Sequence, residues 1–389
     1  MTTETISVAD IEQARAQSLA SGAAGTALLD VERALSMTGQ WTPAAEQIRI
    51  ATAGTISAAD HAGLYYGVPA ICFLLHAADS DGSARFRTAT KVADRHVIVL
   101  AERRLSVAVE RRAHGAPLTF KEYDLFYGLV GLGSLLTPHL PDSAVLPDLL
   151  GYLVQLSTPR REDGLLVPGW WVEHDPDPIL PTPGGHANLG MAHGAAGLLA
   201  VLALAVSHGI EVQGQREAIL RIVELFGQWR QDGPDGPWWP QWLTRDALRS
   251  GHPRQSAPGR LSWCYGAPGI TRALQLAALA LGETERQKQA ERDLAAILND
   301  TQLARIDDAG LCHGVAGLYQ TAWRVARDAK TNEIAQRLPA VSVHLISHSE
   351  HDTDDAGLLT GRAGVQLALE TLRHDSPPRS GWDACLLIS

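Results

Sequence analysis

Cys264, Cys312 and His313 are the side chains in this sequence whose types and spacing best fit metal chemistry. Cys264 stands in Trp263-Cys264-Tyr265-Gly266, and the other two stand in Leu311-Cys312-His313-Gly314, so the cysteines are separated by 48 positions. Two thiolates and an imidazole make a soft N/S donor set that suits Zn2+, with a fourth position left for water or a substrate atom. Both thiolates give charge to the ion and make it a poor electrophile, yet a thiol bound in the open position still loses its proton. Such a centre suits turning a substrate sulfur into a nucleophile better than making hydroxide. Taken singly, either cysteine would read as an ordinary buried one. The spacing joins them.

That spacing is one period of an internal repeat. Seven related motifs run along the chain: Ser-Gly-Ala-Ala-Gly at 21–25, Tyr-Gly-Val-Pro-Ala at 66–70, Tyr-Gly-Leu-Val-Gly at 127–131 and His-Gly-Ala-Ala-Gly at 193–197. Tyr-Gly-Ala-Pro-Gly at 265–269, His-Gly-Val-Ala-Gly at 313–317 and Thr-Gly-Arg-Ala-Gly at 360–364 complete the set. Their first glycines are spaced by 45, 61, 66, 72, 48 and 47 residues, and only the second motif lacks its closing glycine, with Ala70 there. Cys264 and Cys312 therefore occupy equivalent places in neighbouring repeats.

Elements must position these residues. Apolar runs rich in Ala and Leu follow several motifs, such as Leu198 to Leu204 and Ala273 to Leu279, and favour helix over strand. A more amphipathic segment then precedes the next motif, as at Arg216–Arg230 and Glu283–Asn299. A period of 45–48 residues fits one such pair plus turns. The expectation is an all-α fold: seven helix pairs, the apolar helix inside and the amphipathic one outside. The terminal motifs resemble the others rather than polar caps, so a closed α/α toroid fits better than an open solenoid. The glycines would let backbones approach at the narrow end of the ring, with helix N-termini facing a shared cavity.

The three long steps place loop insertions between repeats two and five. Residues 1–389 read as a single domain, with room for a small inserted subdomain or loops within 141–190. Pro159–Gly185, holding Trp170 and Trp171, and Asp232–Trp242, holding Trp238, Trp239 and Trp242, read as irregular. These tryptophans suit either covering the edge of the core or gripping an extended peptide.

Composition removes other classes. With 45% hydrophobic and 20% charged residues the chain can bury a large core, and a net charge of −10 argues against a nucleic-acid binder. Four cysteines in 389 residues are too few for a disulfide-stapled domain. The stretch Met1–Gln17 carries Glu4, Asp10, Glu12 and Arg15 with no apolar core, so no signal peptide is expected. The longest uncharged apolar run, Gly194 to about Val206, is too short to span a bilayer. A cytoplasmic location follows as the expectation. Cys72, within Ile71-Cys72-Phe73-Leu74-Leu75, reads as core packing; Cys385 is assigned no role.

The motifs Trp263-Cys264-Tyr265-Gly266, Cys312-His313-Gly314 and Ala192-His193-Gly194-Ala195-Ala196-Gly197 resemble those of the LanC-like lanthipeptide cyclases, along essentially the whole chain. The resemblance implies a zinc enzyme with one Zn2+ per chain. It would add cysteine thiols of a ribosomal precursor peptide to dehydroalanine and dehydrobutyrine, forming lanthionine and methyllanthionine rings. It also implies a dehydratase partner, which would bring the protein to the membrane periphery. Tyr265 after the metal cysteine looks bacterial, and the absence of an attached kinase or lyase segment suits a stand-alone class I cyclase.

By position, the resemblance makes His193 the acid/base, Arg260 an enolate stabiliser, Asp124 a supporting carboxylate and Tyr265 a hydrogen-bond donor near the metal. Thiolate attack at Cβ puts negative charge on an amide enolate, which a cation stabilises, and Cα must then receive a proton. Plainer readings stand beside these: Asp124 as a helix N-cap, Arg260 as solvated surface, His193 as a satisfied core histidine. His186 and the remaining histidines are left as structure. Rival functions are intermolecular addition of glutathione to dehydroamino acids, and a non-catalytic scaffold that binds the peptide.

Overall fold

The computed structural model describes residues 8–176, 179–350 and 355–389. Residues 1–7, part of the N-terminal stretch read for a signal peptide, 177–178, inside the 141–190 segment, and 351–354 lie outside the described residues. A leading helix, α1 (Val8–Ala16), packs on the first two helices of a ring. Seven inner helices each begin one residue after a repeat glycine: α2 (Ala23–Leu35), α4 (Val68–Ala78), α7 (Leu129–His139) and α9 (Ala195–Ser207), then α12 (Ala267–Leu281), α15 (Val315–Asp328) and α17 (Arg362–His374). Outside them lie α3 (Trp41–Ala51), α5 (Arg87–Ala113), α8 (Val145–Leu156), α10 (Gln215–Trp229), α13 (Thr284–Ile297) and α16 (Glu333–Ser349). Short helices α6 (Phe120–Tyr123), α11 (Arg245–Ser250) and α14 (Asp300–Leu303) sit in the connections.

The division follows the apolar pattern. Helix α9 buries residues on every side, whereas α13 buries Gln287, Ala290, Leu294 and Ile297 along one stripe. Each inner helix packs on the next, and α17 packs back on α2, so the ring closes. Arg33 of α2 seals the joint, donating from Nε to Glu370 Oε1 at 2.8 Å and from a terminal nitrogen to Gln366 at 3.0 Å.

The repeat glycines have a more local cause than approach between helices. A Cβ at Gly25, Gly131, Gly197, Gly269, Gly317 or Gly364 would fall 1.9–2.4 Å from the carbonyl oxygen six residues earlier. Each motif loop thus coils back onto the first turn of the helix it introduces, and any side chain would collide with backbone. The second motif takes another path. Gly67 there has φ +72, a left-handed conformation that favours glycine, which explains how this loop accepts Ala70.

Neighbouring motif loops are stitched by backbone hydrogen bonds. Leu125 N–H donates to Ala192 O, Ala192 to Cys264, Cys264 to Cys312, Cys312 to Leu359, Leu359 to Ala20, and Leu19 to Tyr65. Between loops two and three a side chain spans the gap, where Arg104 of α5 donates to both Ala62 O and Tyr127 O. This belt runs around the rim where the inner helices start.

The seventh inner helix is followed not by an outer helix but by a plug. A 3-10 turn, Trp382–Leu386, enters the ring. Asp383 is fully buried and accepts from Arg324 at 2.6 and 2.7 Å and from Gln320 at 2.7 Å. Tyr65 donates to Cys385 O, Trp263 Nε1 to Leu386 O and Arg272 Nε to Ile388 O. The repeat predicts seven complete pairs; among the described residues six inner helices are followed by an outer one.

The long steps differ in kind. The first is taken up largely by the 27-residue α5, so it is not a loop insertion. The second holds the hairpin β1 (Arg160–Glu162) with β2 (Leu165–Val167), and β3 (His186–Asn188). The third holds β4 (Trp242–Thr244), which pairs antiparallel with β3, His186 opposite Thr244. Trp170, Trp171, Trp238 and Trp239 are all buried, so they cover the core rather than offer a surface for a peptide.

Candidate metal centre

The belt explains why Cys264 and Cys312 meet. They hold the same place in adjacent loops, two residues before each first glycine, and the amide of one donates to the carbonyl of the other at 3.2 Å. Their sulfurs and one His313 ring nitrogen lie within 4.8 Å of one another. Two sulfurs and a nitrogen at this spacing fit a zinc ion with one position open. His313 Nε2 lies 3.3 Å from Asp308 Oδ2, leaving Nδ1 as the nitrogen for an ion, a carboxylate–imidazole arrangement typical of metal centres. Asp308 is itself fixed by the Gly310 amide at 2.7 Å.

The electrostatics of the three groups are coupled. The Cys312 thiol beside it draws Cys264 down to about 5, with further help from His313 and the Ser262 hydroxyl, while burial opposes the shift. Cys312 moves the opposite way, pushed up by the hydrogen bond to Cys264 and by burial. Asp308 first, then Cys264, raises His313 to about 9. A divalent ion held here would take all three groups deprotonated.

A second pair stands beside this cluster. His193 Nδ1 is 2.6 Å from Asp124 Oδ2, and Asp124 is buried while the His193 side chain is 23% exposed. The other Asp124 oxygen accepts the amides of Tyr127 at 2.7 Å and Gly128 at 2.9 Å. Asp124 is not the N-cap of the following helix, which is Gly128; its carboxylate braces its own loop and contacts His193. The His193 ring packs between Phe120 and Phe126, with centroids at 5.5 and 5.1 Å, and lies 5.9 Å from the Tyr265 ring. Tyr265 thereby joins the two groups. Burial, and then the charge of Cys264, push its phenol well up, so it remains a hydrogen-bond donor at neutral pH. Arg260 is exposed on the same rim, close enough for its charge to act on Asp308 and Cys312.

The sequence reading missed Asp308 and Asn188. Both stand six residues before a motif glycine, Gly314 and Gly194, a repeat register that would have singled them out. Asn188 is fully buried; its Oδ1 accepts the Gly190 amide at 2.8 Å, and its Nδ2, unpartnered, belongs to the side chain that faces the Tyr265 hydroxyl. His186, left as structure, is buried against Thr182 and near Phe120, Trp242 and His174.

The closed helical ring is an α/α toroid that carries a thiol–imidazole cluster and an Asp–His pair on one rim. The chain belongs to the lanthionine synthetase C-like protein family, whose model matches residues 13–387. It is 27% identical over 209 residues to the nisin biosynthesis protein NisC of Lactococcus lactis subsp. lactis, covering 53% of this chain and 49% of that protein. The match thus spans about half the length of that curated relative. The fold is similar to that of a solved nisin cyclase, with a TM-score of 0.81 over 96% of this chain and 93% of the other at 21% identity. Among the described residues no helix is long and apolar enough to cross a membrane.

Proposed function

We propose that the protein is a zinc-dependent lanthipeptide cyclase that closes thioether rings in a dehydrated ribosomal precursor peptide. The observation that carries this reading is the convergence of Cys264, Cys312 and His313 beside the His193–Asp124 pair on one rim. It agrees with the family and with the names of the relatives, one a nisin biosynthesis protein and one a nisin cyclase. Cys264, Cys312 and His313 would hold one Zn2+, which when bound keeps a substrate cysteine thiol as thiolate at neutral pH.

The remaining residues handle the other half of the addition. As the sulfur bonds to Cβ of a dehydroalanine or dehydrobutyrine, the double-bond electrons move onto the amide as an enolate. Arg260 supplies a positive charge for that enolate, and Tyr265 an O–H donor. His193, oriented by Asp124, delivers the proton to Cα. No atom leaves, so substrate and product have equal mass. The peptide would reach the enzyme from a dehydratase working alongside it in the cytoplasm, at the membrane periphery where that complex assembles.

The test incubates purified protein with a dehydrated Ser/Thr/Cys peptide and glutathione, then alkylates free thiols and weighs the products. Ring closure gives unchanged mass and a loss of alkylatable thiols; a glutathione adduct would instead establish intermolecular addition. Full retention of both thiols and dehydroamino acids would leave a peptide-binding scaffold. Cys312→Ala is expected to lose both the zinc and ring closure; a variant that still closes rings overturns the assignment.

A further inference from the structure

Among the described residues, two groups of side chains bring three metal-binding atoms within 4.8 Å of one another, and the second lies away from the reactive rim. We propose that Cys72, His76 and Asp94 form a second transition-metal site that binds Zn2+ or Co2+ and ties inner helix α4 to outer helix α5. This inference does not rest on the cyclase reading.

The local geometry follows from helix periodicity. Cys72 and His76 are one turn apart on the same face of α4, and Asp94 faces them from α5. Asp94 Oδ1 is 2.8 Å from His76 Nε2 and 3.2 Å from Cys72 Sγ. Zinc bonds of about 2.0–2.3 Å separate ligand atoms by roughly 3–4 Å, so small side-chain adjustments would admit the ion. No lysine or arginine pairs with Asp94 among the described residues, so its partners are the imidazole and the thiol. His139, the last residue of α7, stacks on the His76 ring at 4.1 Å and 14° and restricts its rotation.

Accessibility suits a captured ion. Cys72 is fully buried, while the side chains of His76 and Asp94 are 18% and 16% exposed, which leaves a route from solvent to the thiol. A hydrogen bond from a thiol is weak and by itself explains little of why one is sealed against a carboxylate. Binding gives all three groups a common partner and releases the thiol proton. One sulfur, one nitrogen and one oxygen donor suit Zn2+ or Co2+ rather than Mg2+ or Ca2+, which take oxygen ligands. His76 lies nine residues beyond Gly67, about 13 Å down the helix from the rim. The site is therefore separate from Cys264, Cys312 and His313.

The experiment uses the full chain, stripped with chelator and reloaded, with metal counted by native mass spectrometry. With Zn2+, the wild-type chain is expected to take two ions and Cys72→Ser, His76→Gln and Asp94→Asn one each. In a Cys264→Ala/Cys312→Ala background, Co2+ should still give a thiolate-to-cobalt band in the near ultraviolet, and adding Cys72→Ser should abolish it. Asp94→Asn keeps the hydrogen-bonding pattern, so loss of the ion from a variant with an unchanged melting temperature reports ligation rather than unfolding. A zinc count in the wild-type chain that Cys72→Ser, His76→Gln and Asp94→Asn leave unchanged, or a Cys264→Ala/Cys312→Ala variant with no cobalt band, would overturn the site and leave a hydrogen-bonded trio.

Discussion

The backbone amide of Cys264 donates to the carbonyl of Cys312 at 3.2 Å, so the residues that carry the two sulfurs are hydrogen-bonded neighbours in a belt of motif loops. The thiol–imidazole cluster is thus a property of the repeat. Any loop pair joined this way brings its two equivalent residues together, and here both are cysteines.

The first prediction concerns the loops. Gly317→Ala would place a Cβ 1.9 Å from the Leu311 carbonyl, one residue from Cys312, and is expected to cost more than about 3 kcal/mol and to weaken zinc retention. Gly151→Ala, mid-way along the outer helix α8 where an added Cβ meets nothing, should stabilise by about 0.5–1 kcal/mol. Denaturant unfolding of the two variants measures the contrast, and equal effects would contradict the close approach.

On the proposed reading Asp124 positions His193, whose Nδ1 lies 2.6 Å from its carboxylate. In Asp124→Asn one side-chain oxygen can still accept the Tyr127 and Gly128 amides, so the melting temperature should move little. The amide would present an N–H to His193 Nδ1 and impose the wrong tautomer, lowering ring closure by about 100-fold or more. The pH–rate profile should change with it. A fall in melting temperature with normal turnover would make Asp124 a loop brace only.

The plug should be stabilising. Asp383→Ala removes the buried acceptor of Arg324 and Gln320 and leaves Arg324 short of a counter-charge. The expected loss is about 3–5 kcal/mol. Asp383→Asn, which keeps an acceptor oxygen, should lose less, and thermal unfolding of the pair measures the difference.

Among the described residues His186 is one of two histidines, with His139, whose desolvation makes the fold acid-sensitive. Burial, then the nearby His174, lower His186 to about 4, with Asp175 pulling weakly the other way. An unfolded histidine takes up its proton near 6.5, so between about pH 6.5 and 4 the unfolded chain binds more protons and stability falls as pH drops. This group contributes on the order of 2 kcal/mol of that fall. His186→Gln should flatten the slope of unfolding free energy against pH in that window, and an unchanged slope would assign the sensitivity elsewhere.

Seven glycine motifs, their period and the apolar runs after them determined the closed ring, because a helix that is apolar on all sides has to be enclosed. The two cysteines, one period apart, likewise determined which side chains share a centre. Neither the plug nor the second cluster could be read this way. Asp383 reaches Arg324 across 59 positions and Cys72 reaches Asp94 across 22, with no repeat register to relate them. Asp308 was within reach of the same register argument, but its hold on His313 depends on how the loop turns between them. Periodicity reports what every repeat must do, which is to bury one face and coil one loop. Contacts that occur once, between segments distant in the chain, exist only when the ring has closed, and only the tertiary structure decides them.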